Sequence, residues 1–182
     1  LQRMRPNTPV HFHWNVYARA RHDTVHITAN KGVWLTTLME AMACGKRIVV
    51  VSNSLREAKE IRESLTADFP QKKIELYSSE TPQSKKALHF ADVEKYWASV
   101  DVLMYTPTVS AGVSFEALHF DCMFVNLSDR SCNVETARQM MGRVRQLRDK
   151  DYFVCIRALG GAHPTDIATL ERLVYDRKRL LM

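Results

Sequence analysis

The chain has 182 residues, of which 46% are hydrophobic, which is enough for one well-buried domain. Its 26 Lys and Arg against 20 Asp and Glu give a formal net charge of +6, which favours a polyanionic partner, although simple solubility would also explain it. No apolar run approaches the ~20 residues of a membrane span, so we expect a soluble protein with no membrane partner.

Strand-like and helix-like patterns alternate along most of the chain, which predicts βαβ units and an α/β fold with a mainly parallel sheet covered by helices on both faces. Residues 1–21, with Pro6 and Pro9, fall outside this alternation. We predict that they form a connector with a short strand at Val10–Trp14, and that the domain occupies residues 22–182.

The expected elements are defined by apolar periodicity, capping residues and turn residues. In chain order they are a strand at Val25–Thr28, a helix at Trp34–Cys44 ended by Gly45, a strand at Arg47–Ser52, a helix from the Ser54 cap through Asp68, a strand at Lys73–Tyr77, a short helix at Ala91–Ser99, a strand at Val100–Tyr105, a strand at Asp121–Leu127, a helix beginning near Asn133, a strand at Tyr152–Arg157 and a final helix at Thr165–Leu181.

A polar loop rich in small residues follows the predicted strand that ends at Tyr105. It contains Thr106 and Thr108 and reaches a glycine at Gly112. In open α/β sheets, ligands bind beyond the carboxyl ends of the strands, and loops of small residues let backbone amides approach phosphates closely. The sequence therefore predicts that this loop contacts phosphate.

Two arginines follow a glycine in the segment Gln-Met-Met-Gly-Arg-Val-Arg, residues 139–145. We expect Arg143 and Arg145 to lie on the helix that begins near Asn133. Arginine keeps its charge at physiological pH and donates through a planar fork, which suits the charge that develops on a transferring γ-phosphoryl group. Arginine fingers are one interpretation, and the solvated face of an ordinary helix is the other.

The order of these segments resembles a known class of motor. The loop at 105–115 and the segment 139–145 resemble motifs V and VI of superfamily 2 helicases, and residues 46–58, a strand running into a helix, look like motif IV. All three motifs belong to the second RecA-like domain of such helicases. The residues of these motifs are most similar to those of the herpesvirus-type replication origin-binding helicases of large DNA viruses. The resemblance covers Val25–Arg157.

The chain departs from the broader helicase pattern at two positions. Many helicases have an acidic residue two positions after the motif V glycine, where this chain has Ser114. Many also have the last motif VI arginine three positions after the first, where this chain has Gln146. Arg145 is the expected substitute, and the sequence leaves open whether Arg143 or Arg145 reaches the γ-phosphate.

The first half of such a motor is missing from the sequence. It contains no Gly-x-x-x-x-Gly-Lys-Ser/Thr phosphate loop and no Asp-Glu pair after an apolar strand. The resemblance therefore implies that ATP and Mg²⁺ are held mainly by a first RecA-like domain of the same parent chain. We expect this chain to be cut from that longer polypeptide, since it begins at Leu1, and to be inactive alone.

The resemblance also implies roles for individual residues. The expected catalytic residues are the two arginines Arg143 and Arg145, with Gln139 orienting the attacking water or the γ-phosphate. The residues expected to bring the chain close to nucleotide are Gly112, Ser114 and Gly142. The residues expected to grip the phosphates of a DNA strand are Ser52, Asn53, Thr106, Thr108 and Ser78. Each of these could instead end a strand, cap a helix or lie on a helix surface.

Three functions fit a domain of this kind. The first is the C-terminal motor domain of an ATP-dependent DNA helicase, or replication origin-binding protein, whose partners are DNA and the first RecA-like domain. The alternative is a non-catalytic module with a degenerate motor fold that binds nucleic acid or a partner protein. A doubly wound nucleotide or sugar-phosphate transferase is the third, and the order of the motifs disfavours it.

Cysteine and histidine usage bears on compartment and metal binding. The four cysteines are scattered without a Cys-x-x-Cys pair, which is typical of a reducing, intracellular compartment. For a viral protein this means the host nucleus or a viral replication site. His11 and His13 precede two further histidines, but no cysteine or carboxylate completes a ligand spacing, so no metal site is expected.

Overall fold

A computed structural model describes residues 22–109, 112–129, 131–158, 167–169 and 171–172. The predicted connector at 1–21, with its short strand, lies outside the described residues. So does most of the predicted helix at Thr165–Leu181, of which residues 167–169 and 171–172 are helical.

Six strands form one sheet in which every neighbouring pair is parallel, in the order β1-β6-β5-β2-β4-β3. The strands are β1 Thr24–Thr28, β2 Ile48–Ser52, β3 Ile74–Tyr77, β4 Val102–Tyr105, β5 Cys122–Ser128 and β6 Asp151–Arg157. The helices are α1 Lys31–Ala43, α2 Leu55–Asp68, α3 Gln83–Ala91, α4 Val93–Trp97 and α5 Val134–Met141. This confirms the predicted parallel α/β architecture with helices on both faces.

The central strand shows why the sheet is covered on both faces. All five residues of β2, Ile-Val-Val-Val-Ser, are buried. Ile48 and Val50 face one core with residues of α1 and α2, whereas Val49 and Val51 face the other with residues of α4, α5 and the loop before β5. A strand that is apolar on both faces can be stable only between two layers, as in parallel sheets generally.

Helix boundaries follow the capping residues. Ser54 accepts a hydrogen bond from the backbone N–H of Glu57 and begins α2 as predicted. Asn30 accepts from two backbone N–H groups and begins α1 three residues before the predicted start. Gly45, with φ of 78°, takes the left-handed conformation just after α1.

The segment between β3 and β4 differs from the prediction. One helix was expected at Ala91–Ser99, but α3 precedes it and the pair meets at Asp92, which caps α4. None of the residues of α3 is buried. The N-cap of α3, Pro82, makes no side-chain hydrogen bond, so this helix lacks the capping residue that marked the start of α2.

The carboxyl ends of the parallel strands lie along one edge of the sheet, which positions the candidate site. Backbone contacts join the loops there: Thr106 N–H donates to Tyr77 O (3.1 Å), and Asn53 N–H donates to Asn126 O (3.2 Å). The segments that resemble motifs IV and V, and the loop after β3, therefore meet at this edge.

Candidate functional site

A one-residue parallel bridge joins the motif V loop to the arginine segment. Phe115 N–H donates to Arg143 O (2.8 Å), and Arg145 N–H donates to Phe115 O (2.9 Å). Phe115 and Val144 are both buried, so their side chains anchor the bridge in the core. Arg143 and Arg145 consequently lie beside residues 113–116, just past Gly112.

The expectation that the two arginines lie on a helix is wrong. Helix α5 ends at Met141, and Gly142 is its C-cap. The Tyr105 hydroxyl donates to Met140 O (2.9 Å), which satisfies a carbonyl of the last turn, and the bridge to Phe115 then draws the chain out of helical conformation. The alternative of a solvated helix face therefore does not apply to these two residues.

Arg143 is a half-buried cation. Its Nη1 donates to Val113 O (3.4 Å), whereas its Nε is buried and has no hydrogen-bond partner among the residues that the structure describes. Among the described residues, none places a carboxylate oxygen within 4.0 Å of its guanidinium. Because no carboxylate of the described residues neutralises this charge, an anionic group at the exposed part of the guanidinium would be stabilised.

Arg145 is more exposed and is held by its inner nitrogen. Nε donates to the Ser114 hydroxyl (3.0 Å) and lies 3.7 Å from a Glu116 carboxylate oxygen. Gln139 lies on the exposed face of α5, where its amide donates to Glu135 (3.3 Å). The structure thus brings Ser114 together with Arg145, and it gives Gln139 a different partner.

The two candidate glycines differ in backbone conformation. Gly112 has φ of 95°, the left-handed region, and a Cβ there would meet open space. Gly142 has φ of −78°, and a Cβ there would lie 3.5 Å from Gln139 O, an ordinary contact. The fold itself therefore requires glycine at 112 but not at 142.

Four of the five predicted DNA-contacting residues are at most 5% exposed, namely Ser52, Asn53, Ser78 and Thr106. The Asn53 amide shows why: it donates to Ser128 O (2.7 Å) and accepts from Ser128 N–H (3.0 Å), which joins the ends of β2 and β5. These side chains hold strand ends in place. Thr108 is half-exposed, with its hydroxyl 3.2 Å from that of Thr106, and it alone of the five is partly accessible.

A buried charged cluster at the same edge was missed by the sequence prediction. Glu57 is 4% exposed, and its carboxylate accepts from Arg157 and from the Asn126 amide, with Lys31 nearby (3.9 Å). Burial raises the pKa of Glu57, but these hydrogen bonds and charges outweigh it and leave the pKa below its ordinary value. The hint in the sequence was a glutamate beside the apolar positions of α2.

A cation near the loop after β3 was also missed. Lys86 of α3 is half-buried, its Nζ lies 3.5 Å from Ser78 O, and no described residue pairs a carboxylate with it. Its neighbour Lys85 donates to both carboxylate oxygens of Glu75 (2.8 and 3.0 Å). Two adjacent lysines therefore differ in whether a carboxylate of the described residues neutralises their charge.

His11 and His13 lie outside the described residues, while His26 stacks on Phe153 and contacts Asp151 (3.2 Å). The four cysteines are free thiols. Within the described ranges, no cluster of His, Cys, Asp and Glu has the form of a metal site, and no helix has the length and apolar character needed to cross a bilayer.

The all-parallel six-stranded sheet with helices on both faces is that of a RecA-like domain. The C-terminal domain of the DEAD-box protein Dbp5 has this fold: it superposes with a TM-score of 0.52 at 12% identity, covering 89% of this chain and 86% of that domain. The chain belongs to the family of origin of replication binding proteins, whose model matches residues 9–167.

Two curated relatives illustrate the family. A protein of African swine fever virus (strain Badajoz 1971 Vero-adapted), provisionally named a helicase/primase complex protein, is 41% identical over 181 residues, which is 100% of this chain. The replication origin-binding protein of human herpesvirus 7 (strain JI) is 31% identical over 119 residues, 64% of this chain. The matches span 17% and 14% of those two relatives.

Proposed function

We propose that this chain is the C-terminal motor domain of an ATP-dependent DNA helicase or replication origin-binding protein. It would supply Arg143 and Arg145 to a nucleotide cleft shared with a first RecA-like domain. The observation that carries the proposal is the Phe115–Val144 bridge, which sets both guanidinium groups beside the loop at Gly112. Among the described residues, no carboxylate pairs with Arg143.

The chemistry assigned to this chain is electrostatic. During phosphoryl transfer, negative charge spreads over the oxygens of the γ-phosphoryl group, and preorganised arginines stabilise it. The guanidinium of Arg143 is held at Val113 O, and that of Arg145 is restrained by Ser114, so both groups are already positioned beside the motif V loop. Mg²⁺, bound mainly by the first domain, would neutralise charge on the β- and γ-phosphates.

The same arrangement would couple nucleotide to domain movement. ATP that lies between two domains attracts the arginines across the cleft, and hydrolysis removes the γ-phosphate and with it that attraction. The motif V loop is bonded both to the arginines, through Phe115, and to the edge where β3 and β4 end, through Thr106. A movement of the arginines would therefore reach the predicted DNA-contacting edge through few bonds.

At this edge of the sheet, the chain would contact the sugar-phosphate backbone of DNA. Thr108 and Lys86 offer a hydroxyl and a cation that suit phosphate without reading bases. The net charge of +6 and the name of the herpesvirus relative support DNA as the partner.

The free thiols support a reducing compartment, which in a viral setting is the host nucleus or a viral replication site.

The test is Arg143→Ala in the full parent polypeptide that contains both RecA-like domains. We expect DNA-stimulated kcat for ATP hydrolysis to fall by a factor of about 10³ or more, as for other arginine fingers. Arg62→Ala, which removes an exposed arginine from α2 on the opposite face of the sheet, is the matched control. A wild-type rate for both Arg143→Ala and Arg145→Ala would favour the non-catalytic binding module instead.

A further inference from the structure

We infer that Glu116 is a positioning residue for Arg145, acting through the Ser114 hydroxyl. The inference rests on the proposed function and deepens it, because it states which residues orient the guanidinium group of one of the two arginines. Glu116 lies outside the segments that resemble helicase motifs.

Three side chains form a chain of contacts whose direction is fixed by their chemistry. Arg145 Nε donates to Ser114 Oγ (3.0 Å), and Ser114 Oγ donates to Glu116 Oε1 (2.6 Å). An arginine can only donate and a carboxylate can only accept, so the hydroxyl between them must do both. The carboxylate therefore orients the hydroxyl, and the hydroxyl presents its lone pair to the arginine.

The contacts of Arg145 leave its two terminal nitrogens, Nη1 and Nη2, available. Both contacts, to Ser114 and to Glu116, are made by Nε, the nitrogen nearest the chain. No described residue accepts a hydrogen bond from Nη1 or Nη2 of Arg145. These two terminal groups form the fork that binds a phosphate through two parallel hydrogen bonds. The restraint thus limits the direction of the guanidinium without occupying it.

Glu116 is itself fixed from outside the motif V loop. The Glu94 carboxylate of α4 accepts from the backbone N–H of Glu116 (2.6 Å) and from that of Ala117 (3.3 Å). Helix α4 is anchored in turn by Trp97, which is fully buried. The backbone at Glu116, from which the carboxylate reaches Ser114, is therefore held to the packed core through α4.

The solvent exposure of Glu116 and Arg145 indicates that their contact orients the guanidinium group rather than stabilises the fold. The side chain of Glu116 is 64% exposed and that of Arg145 is 37% exposed. Ion pairs so accessible to water contribute little to stability. The arrangement also accounts for Ser114, which stands where many helicases have an acidic residue: here the hydroxyl occupies that position and the negative charge comes from two residues later.

The kinetic test uses Glu116→Gln in the full parent polypeptide. We expect kcat for ATP hydrolysis to fall about tenfold, with KM for ATP and affinity for DNA nearly unchanged, because a misdirected guanidinium loses its alignment with the phosphoryl group. Ser114→Ala should act similarly, and the double variant should be no slower than either single one. Glu116→Asp should recover part of the rate. Glu63→Gln, an equal change of charge at an exposed position on α2, is the control.

A second measurement follows the contact without catalysis. In the 182-residue chain, the Nε–H resonance of Arg145, assigned by its loss in Arg145→Lys, should exchange slowly with solvent. It should exchange faster in Glu116→Gln but not in Glu63→Gln. Equal exchange in Glu116→Gln and the wild type would overturn the inference, as would unchanged kcat in Glu116→Gln when Arg145→Ala is slow.

The two proposals can fail separately. If Arg143→Ala and Arg145→Ala both hydrolyse ATP at the wild-type rate, the proposed function fails and the positioning role fails with it. If both arginine variants are slow but Glu116→Gln keeps the wild-type kcat, only the inference about Glu116 is lost.

Discussion

At the scale of single residues, neighbours of the same type have different environments. Arg143 is half-buried and has no carboxylate partner among the described residues, whereas Arg145 is exposed and restrained by Ser114 and Glu116. Lys85 is neutralised by Glu75, whereas Lys86 is not paired within the described part of the chain. Whether a cation is available to an external anion therefore depends on contacts that residue type does not determine.

Lys86→Ala should weaken binding of the chain to random-sequence single-stranded DNA uniformly across sequences. If Lys86 contacts one phosphate, the slope of log K against log salt should become shallower by about 0.7, because one fewer counterion is released. Fluorescence anisotropy with labelled oligonucleotides over a series of salt concentrations measures this slope. Lys85→Ala removes the same charge but one already paired with Glu75, and its slope should change less. Equal slopes for the two variants would count against a specific role for Lys86.

At the scale of elements, the bounds of strands and of helices with a capping side chain agree with those predicted from local sequence. The bounds of α3 and α5 do not agree. The bounds of β2 and α2 match prediction within one residue, because an apolar run and the Ser54 cap determine them locally. Helix α3 was not predicted, because its N-cap, Pro82, offers no side-chain hydrogen bond to mark its start. Helix α5 is shorter than expected because its last turn is replaced by contacts with Tyr105 and Phe115, which are distant in sequence.

Gly112→Ala and Gly142→Ala should separate folding from nucleotide binding. At Gly112 the backbone has φ of 95°, so alanine should lower the free energy of unfolding by about 1–2 kcal/mol. At Gly142 alanine meets only ordinary contacts, so stability in urea denaturation should stay near that of the wild type. If nucleotide approaches the backbone at Gly142, that variant should nevertheless lose ATPase activity in the parent polypeptide. Normal activity together with normal stability would remove Gly142 from the site.

At the scale of the whole molecule, the carboxyl edge of the sheet is held together by polar contacts between distant segments. The Glu57 carboxylate of α2 binds Asn126 of β5 and Arg157 of β6, while Asn53 joins β2 to Ser128. Breaking a buried ion pair by removing one partner costs much more than an exposed pair contributes. The rigidity of the edge that carries the candidate site therefore depends on these few groups.

Glu57→Gln should destabilise the chain by about 3 kcal/mol at neutral pH, because it leaves the charge of Arg157 unpaired. The folded-state pKa of Glu57 lies below its ordinary value of 4.5, so its stabilising effect is present above that pH and is lost as pH falls through the folded-state pKa. Urea denaturation from pH 7 to pH 3 should show the difference between variant and wild type shrinking toward acid pH. Glu63→Gln is the control, and a pH-independent difference for Glu57→Gln would contradict this assignment.

The sequence by itself determined the parallel α/β fold, the segments that line the carboxyl edge and the residues that carry the family resemblance. These follow from local patterns: apolar runs, caps and small-residue loops act within a few positions of the chain. Only the tertiary structure decided that Arg143 and Arg145 lie past the end of the helix, and that Ser52 and Asn53 are buried. It also decided that Glu116 contacts the Ser114 hydroxyl beside Arg145, and that Glu94 holds the backbone of Glu116. These outcomes depend on hydrogen bonds and burial between segments that meet only after the sheet has assembled.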